Sequence, residues 1–510
     1  MRLALAASLG LLALPALAQE GEPLSAIDWL SQSVSASATA TPRRPPAEPP
    51  VADSAATPDV TVTLLGSGEP GLFGVLPSEV TGLPTDLWSG SEPGTLISLV
   101  GAEQPESLPA LQDLVVTLML AEAEPPLGGS GRDLFLARVD RLLGMGALEA
   151  ARSLLESGDL LDPELFRRWF DVTLLTGTEH DACAVLRSQP SLAPTLPARV
   201  FCLARNGDWN AAALTLNTAR ALGDVTPEEE VLLTRFLDPE FGEPEEELLP
   251  LARPSPLTYR LREAVGDLMP TTGLPLAFSH ADLRDTVAWR GQIEAAERLA
   301  RNGALSENVL LGVYTAREPA ASGGVWDRAA AIQNLDQAVR AGDRAAVAEN
   351  LPLAWEAMRE VELEVPFARL YGDTLRGLNL DGEAGKLAHR VALLSPAYEA
   401  AARAREPASP REALWRAVAT GDTNEASATD PLGAAVLAGF GEAMVPSELR
   451  DALAEGRLGE ALLGSVGFFQ RGLDGDHRAV TEAIATLRTA GQEDAARRAA
   501  LQFLLLGERS

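Results

Sequence analysis

The apolar positions of this chain recur with helical spacing from about residue 95 onward. Apolar side chains in 166–174 fall at i, i+3, i+4 and i+8, and those in 209–216 fall at i, i+3, i+4 and i+7. This spacing places them on one face of an amphipathic helix. Helix starts carry a capping residue followed by proline, as in Thr226-Pro227-Glu228-Glu229, Ser409-Pro410-Arg411-Glu412 and Asp162-Pro163. The pattern therefore predicts an all-α protein.

A second pattern joins the helices into pairs, because a glycine ends one helix and the next helix carries small residues. The glycines are Gly146, Gly177, Gly207, Gly291, Gly342, Gly382, Gly456 and Gly491. Alanine stands at the fourth or fifth position after all of them except Gly382. Glycine adopts the left-handed conformation that ends a helix, and alanine lets the returning helix approach closely. We therefore expect stacked antiparallel helical hairpins.

The first three of these glycines are spaced by 31 and 30 residues, and the later intervals are less regular. The pattern resembles a tetratricopeptide-like array, an α-solenoid of the kind found in exported helical-repeat proteins of the bacterial envelope. It covers residues 130–225 and, with diverged spacing, 280–510, and the full tetratricopeptide consensus is absent. The resemblance implies a rigid stack with a long concave surface that binds peptides or folded partners.

Cys183 and Cys202 are the only cysteines. An even pair in an exported chain favours a disulfide over a metal site or a nucleophile. Cys183 follows the Gly177 turn and Cys202 precedes the Gly207 turn, so the two lie on neighbouring helices of successive hairpins. A bridge there would join the hairpins and is expected to be structural.

The first residues have the pattern of a signal peptide. Arg2 precedes an apolar run from Leu3 to Leu14, and Pro15-Ala16-Leu17-Ala18 supplies the small residues that signal peptidase requires. We expect cleavage after Ala18 and a periplasmic location. Residues 31–59 are rich in Pro, Ala, Ser and Thr and are expected to form a disordered linker.

A short helix is predicted before this linker. Ile27, Trp29 and Leu30 would share one face of it and are candidate interaction residues. Two interpretations remain open: the helix docks onto a partner, or it folds back onto the protein's own body.

Two tryptophans elsewhere are further candidate interaction residues. Trp88 lies in the Gly/Pro-rich segment 60–94, which begins with a strand candidate at 60–65. We interpret this segment as a small N-terminal cap on the first helices, within which one short strand pair is possible. Partner recognition is the open alternative. Trp326 lies in the Pro/Gly-rich interruption 317–328, where an exposed recognition loop and a packed connection with a core tryptophan are both open.

These features divide the chain into six segments. They are the signal peptide 1–18, the short helix and linker 19–59, the cap and first helices 60–125, a helical-repeat region with the disulfide 126–255, a middle helical region with loops 256–345, and a C-terminal helical-repeat region 346–510.

Charge narrows the choice of partners. The chain has 72 acids against 42 bases, a formal charge of -30, and Lys386 is its only lysine. This surface repels phosphate backbones, so we expect no nucleic-acid partner. No later apolar run reaches the roughly 20 residues of a spanning helix, so no direct membrane span is expected. The acid-rich segment 227–248 is interpreted as a solvated face, with a basic partner or calcium as the alternative.

Motifs for catalysis are missing from the sequence. The four histidines have no metal-ligand spacing, and no phosphate-binding glycine loop, nucleophile elbow or Ser-Lys pair occurs. We therefore predict no catalytic, cofactor-binding or metal-binding residues, and no enzyme. The expected function is that of a periplasmic scaffold or adaptor for envelope proteins. The alternative is a superhelical protein associated with peptidoglycan hydrolysis, or a peptidoglycan-binding accessory factor.

Overall fold

The protein is described from a computed structural model. The structure describes residues 73–102, 107–128, 131–238, 248, 251, 253–424, 426–428 and 430–507. Within these ranges the chain is all-helical, and its only β pairing is two isolated bridges. The predicted signal peptide, short helix, linker and strand candidate at 60–65 lie outside the described residues.

The helices are numbered here in chain order. The first half contains α1 Ser78–Thr81, α2 Pro93–Gly101, α3 Pro109–Leu120, α4 Arg132–Gly144, α5 Leu148–Glu156, α6 Pro163–Thr176, α7 Glu179–Ser188, α8 Leu196–Arg205, α9 Trp209–Leu222, α10 Pro227–Leu237 and α11 Pro256–Ala264. The second half contains α12 Trp289–Arg301, α13 Glu307–Thr315, α14 Val325–Ala341, α15 Arg344–Arg359, α16 Glu364–Leu378, α17 Gly382–Leu393, α18 Tyr398–Ala404, α19 Pro410–Thr420, α20 Pro431–Phe440, α21 Ser447–Ala454, α22 Leu458–Leu473, α23 His477–Thr489 and α24 Glu493–Leu506. Three 3₁₀ helices occupy Pro190–Leu192, Thr271–Gly273 and Leu276–Leu283.

Helices begin at the predicted capping residues. The Asp162 carboxylate accepts hydrogen bonds from two backbone N–H groups at the start of α6. At α10, Thr226 Oγ1 accepts from the Glu229 N–H at 3.2 Å while the Glu229 carboxylate accepts from the Thr226 N–H, which is a complete capping box. At α19, Ser409 caps the helix, but the Glu412 carboxylate accepts from the residue before the cap.

The predicted glycine turns are confirmed with one exception. Seven of the eight glycines have a positive φ: Gly146, Gly177, Gly207, Gly342, Gly382, Gly456 and Gly491. The exception is Gly291, where the prediction of a turn was wrong because this residue lies in the first turn of α12. The left-handed conformation disfavours a Cβ, so glycine at these seven positions allows a sharp reversal between helices.

The small residues after these turns lie where helices pack. The alanine five positions after the glycine is completely buried after five of the turns, namely Ala151, Ala182, Ala212, Ala461 and Ala496, and Ala296 after Gly291 is buried as well. A methyl group at each position allows a close approach of neighbouring helices. The large side chains of α6 complete the core, since Phe166, Phe170 and Leu174 are all buried.

The two cysteines form the predicted disulfide. Cys183 lies in α7 and Cys202 in α8, with Cα atoms 4.9 Å apart. The bridge therefore joins the helix after the Gly177 turn to the helix before the Gly207 turn, as expected.

A buried arginine holds the segment before α1 against α3 and α4. Phe73 forms a bridge with Ala123, and the Leu76 bridge with Ala121 lies beside it. Arg138 of α4 is 1% exposed and donates to the carbonyl oxygens of Met119, Phe73 and Ala121 at 2.7, 3.0 and 2.7 Å. Burial lowers the pKa of its guanidinium to about 9, so the group is still charged at neutral pH.

Helices near the two ends of the described chain are in contact, so the chain closes on itself. Helix α3 packs on α24, and α2 packs on α22. The Gln502 side chain accepts a hydrogen bond from the Ala110 N–H at 2.8 Å. The Gly459 backbone lies so close to the Trp88 ring that a Cβ at Gly459 would collide with it. In an open solenoid, the helices near the two ends of the chain would not contact each other.

Candidate functional site

A cavity of about 480 Å³ lies between α6, α8, α10 and α11. The capping box at Thr226 directs α10 past its mouth, and Ser255 caps the start of α11 by accepting from the Thr258 N–H. Its apolar wall consists of buried residues from all four helices: Phe170, Ala198, Leu232, Leu233, Leu257 and Leu261. The volume falls in the range typical of small-molecule sites.

Three buried charged side chains form the polar part of this cavity. They are Arg167 and Asp171 of α6 and Arg262 of α11. Arg167 contacts the Glu164 carboxylate at 3.4 Å, and Arg262 contacts Asp267 at 2.8 Å. Both acids are partly exposed. Each arginine therefore has a carboxylate of its own.

A neighbouring arginine behind the cavity wall is also paired. Arg168 donates to both oxygens of Asp140 in α4, at 2.6 and 2.8 Å, and to the Glu164 carboxylate at 2.9 Å. The pKa of Glu164 is lowered: burial alone would raise it, but its hydrogen bond from Arg168 and the charges of Arg167 and Arg168 outweigh burial. This network fixes the start of α6 against α4.

Asp171 differs from these acids because it has no close cation of its own. The residue is 6% exposed, and its Oδ2 atom has no hydrogen-bond donor. The nearest guanidinium nitrogen, on Arg167, is 3.9 Å away. Burial raises the pKa of Asp171 to about 7, although the charges of Arg167 and Arg168 oppose the rise. A buried oxygen without a donor is costly unless it has a partner.

The candidate interaction residues do not come together in one place. Ile27, Trp29 and Leu30 lie outside the described residues. Trp88 is 1% exposed and packs in the core between the cap and α22, so its side chain offers no surface to a partner. This placement corrects Trp88 as an interaction residue, because the apolar loop around it is packed.

Trp326 belongs to the first turn of α14 and not to the loop before it. Its ring is partly buried and lies 5.2 Å from that of Trp289, centroid to centroid. The loop 316–324 before it is largely exposed. The packed connection, one of the two open interpretations, therefore describes the tryptophan better.

Other polar candidates are engaged in local structure. His280 is buried, and its Nε2 atom lies 2.7 Å from the Gly146 carbonyl oxygen. Burial lowers the pKa of this imidazole. In the part of the chain that the structure describes, no three His, Cys, Asp or Glu side chains are grouped closely enough to hold a metal ion. Phe236, in the acid-rich segment, is buried.

Sequence reasoning did not identify Arg167, Asp171 and Arg262. The one local indication was the run Arg167-Arg168 followed by Asp171 within an otherwise apolar helix face. The contribution of Arg262 comes from α11, which is more than 80 residues away in sequence and has no motif that links it to α6.

The fold and site define an all-helical, disulfide-containing protein with an amphipathic internal cavity. Comparison with known proteins gave no match to a protein-family model, to a curated protein or to a solved structure. Among the described residues, no helix combines the length and the apolar character needed to cross a membrane.

Proposed function

We propose that this protein is a non-catalytic binding scaffold of the bacterial periplasm, built as a tetratricopeptide-like stack of helical hairpins. The observations that support the proposal are the left-handed glycines between successive helices and the buried alanines that follow them. Such stacks present large rigid surfaces, and their usual role is to bind peptides or folded partners. The signal-peptide pattern at Arg2 to Ala18 and the disulfide favour export.

The polar interior supports a scaffold because its charges serve packing. Arg138 binds carbonyl groups of the cap, and Arg168 joins α6 to α4 through Asp140. Arg328 of α14 donates to both oxygens of the buried Glu297 in α12, at 2.8 and 2.7 Å. These contacts fix helices relative to each other, which is what a rigid binding surface requires.

Helix α9 offers a surface on which a partner would bind. Leu214 and Leu222 are exposed on this helix, and Trp209 at its first turn is about half exposed. Trp209 still contacts Phe236 of α10, with ring centroids 6.1 Å apart, which limits its movement. Several large apolar side chains exposed on one helix are typical of interaction surfaces. We propose an envelope protein as the partner.

Crosslinking and affinity purification of the full chain from native envelopes test this proposal, with mass spectrometry of the recovered proteins. The expected result is one stoichiometric envelope complex that is lost when Leu214 and Leu222 are both replaced by Asp. Leu353→Asp is the matched control, because Leu353 is equally exposed on α15. Retention on purified peptidoglycan without any enriched protein would contradict the proposal and favour a peptidoglycan-binding factor.

A further inference from the structure

One buried acid of the cavity beside α6 has no arginine of its own among the described residues. Behind and within it, Arg167, Arg168 and Arg262 face Glu164, Asp140 and Asp267, which contact them at 3.4 Å or less. These six charges cancel. Asp171 is then the surplus acid, and its Oδ2 atom, buried in the cavity wall, has no donor among the described residues.

The mouth of the cavity does not supply the missing positive charge. Arg253 also lines the cavity, but so do Glu228 and Glu229 of α10. Counted with the paired charges above, the described residues in and around the cavity therefore have a net negative charge whenever Asp171 is ionised. The protein as a whole also carries a formal charge of -30, which attracts cations over a longer range.

We infer that this cavity is a binding site for a primary ammonium group carried on an apolar chain. The ammonium nitrogen donates to the Asp171 carboxylate, and the chain lies along the wall formed by Phe170, Leu232 and Leu261. Either a free amphiphilic amine or the lysine side chain of a peptide supplies this chemistry. The inference goes beyond the scaffold function, because it assigns a ligand site inside the protein.

The opposite ligand charge fits this site less well. An anionic head group would find Arg167 and Arg262 already in contact with Glu164 and Asp267. It would also require Asp171 to keep its proton. A purely apolar ligand would leave Asp171 Oδ2 buried without a donor, which removes the benefit of filling the cavity.

Isothermal titration calorimetry of the full chain with hexylamine tests the inference, with 1-hexanol and hexanoate as probes of the same length. Hexylamine remains protonated up to about pH 10, whereas Asp171 ionises near pH 7, so the affinity must rise by at least about tenfold between about pH 5.5 and about pH 8.5. Asp171→Asn must reduce the affinity by at least about tenfold at the higher pH. Glu230→Gln is the matched control, because Glu230 pairs with Arg220 outside the cavity.

The result that would overturn the inference is a folded protein that binds 1-hexanol or hexanoate as well as hexylamine, or no hexylamine at all. Equal hexylamine binding by Asp171→Asn would overturn it too. Circular dichroism of the variant shows that it is folded, so a loss of binding is assigned to the site. A capped peptide with one lysine between two leucines forms the second arm: tighter binding than hexylamine identifies a lysine side chain as the source, and weaker binding identifies a free amine.

Discussion

The seam of the N-terminal cap and the cavity beside α6 both bury a charged side chain, and they treat that charge in opposite ways. Arg138 lies among backbone carbonyl groups, and three of its nitrogens have an acceptor within 3.0 Å. Asp171 lies beside a space of about 480 Å³ and has an oxygen without a donor. Neither residue is more than 6% exposed.

The difference separates a structural charge from a charge that is available to a ligand. The Arg138 guanidinium replaces water for three carbonyl oxygens, so it is part of the fold. Asp171 Oδ2 accepts no hydrogen bond from the described residues. Burying Asp171 therefore costs free energy that a bound ligand would offset. Burial alone does not tell the two roles apart, whereas the presence of partners does.

Replacing Arg138 by Met gives the largest expected effect on stability. The change leaves the carbonyl oxygens of Met119 and Ala121 buried without donors, at about 1–3 kcal/mol for each unsatisfied group, and removes one of the two hydrogen bonds to the Phe73 carbonyl oxygen. We expect the free energy of unfolding to fall by about 3–5 kcal/mol, measured by urea unfolding followed by circular dichroism. Arg290→Met, at an exposed pair with Glu294, is the control and should change it by less than about 0.5 kcal/mol. Equal effects of the two substitutions on the free energy of unfolding would contradict the structural role of Arg138.

Replacing both Cys183 and Cys202 by Ser tests whether the cavity region and the cap region unfold separately, because α8, which contains Cys202, lines the cavity. Opening a loop closed across 19 residues should cost about 3 kcal/mol in the chain-entropy account. Hydrogen exchange should then show lost protection in α7 and α8, with α2 and α3 of the cap region less affected. Uniform loss of protection in all four helices would mean that the two regions unfold as one unit.

Replacing Asp171 by Asn should stabilise the protein at high pH. The pKa of Asp171 is raised from 3.8 to about 7 by burial, so the folded state holds a proton that the unfolded state has lost between these values. Wild-type stability must therefore fall as pH rises through this window. The variant has no such dependence, so its advantage should grow by about 2–3 kcal/mol between about pH 5 and about pH 8. Melting curves across this range measure the difference, and a pH-independent difference would contradict the burial of an ionisable Asp171.

The smallest predicted effect concerns the contact between α3 and α24, near the two ends of the described chain. Asp113 of α3 pairs with Arg498 of α24 at 2.6 Å and with Arg369 of α16. Because these side chains are partly exposed, Asp113→Asn should cost only about 1 kcal/mol, and less at high salt. Urea unfolding at low and high salt measures this loss. A loss that does not depend on salt would show that Asp113 acts through packing.

Local features of the fold were predictable because they depend on neighbouring residues. The caps at Asp162 and Thr226 and seven of the glycine turns followed from short motifs. Gly291 misled the prediction because alanines follow it, as they follow the true turns, yet α12 begins two residues before it. Glycine is tolerated in a first helical turn, so its presence does not by itself end a helix.

The closure and the cavity were not predictable because they depend on distant residues. Trp88 lies in the core only because Gly459, far along the chain, lets α22 approach its ring. The cavity likewise combines Asp171 of α6 with Arg262 of α11, which are far apart in the sequence. Neither arrangement can be recognised in a short stretch of sequence, because each of these side chains by itself is common in helices.

A crystal structure of the full chain with hexylamine at about pH 8.5 tests most directly the claim that Asp171 is kept for a ligand. The account predicts the amine nitrogen within about 3.2 Å of an Asp171 carboxylate oxygen, with the alkyl chain along Phe170 and Leu261. An empty cavity at saturating amine, or an Asp171 carboxylate that has turned to an arginine of the protein, would contradict the account.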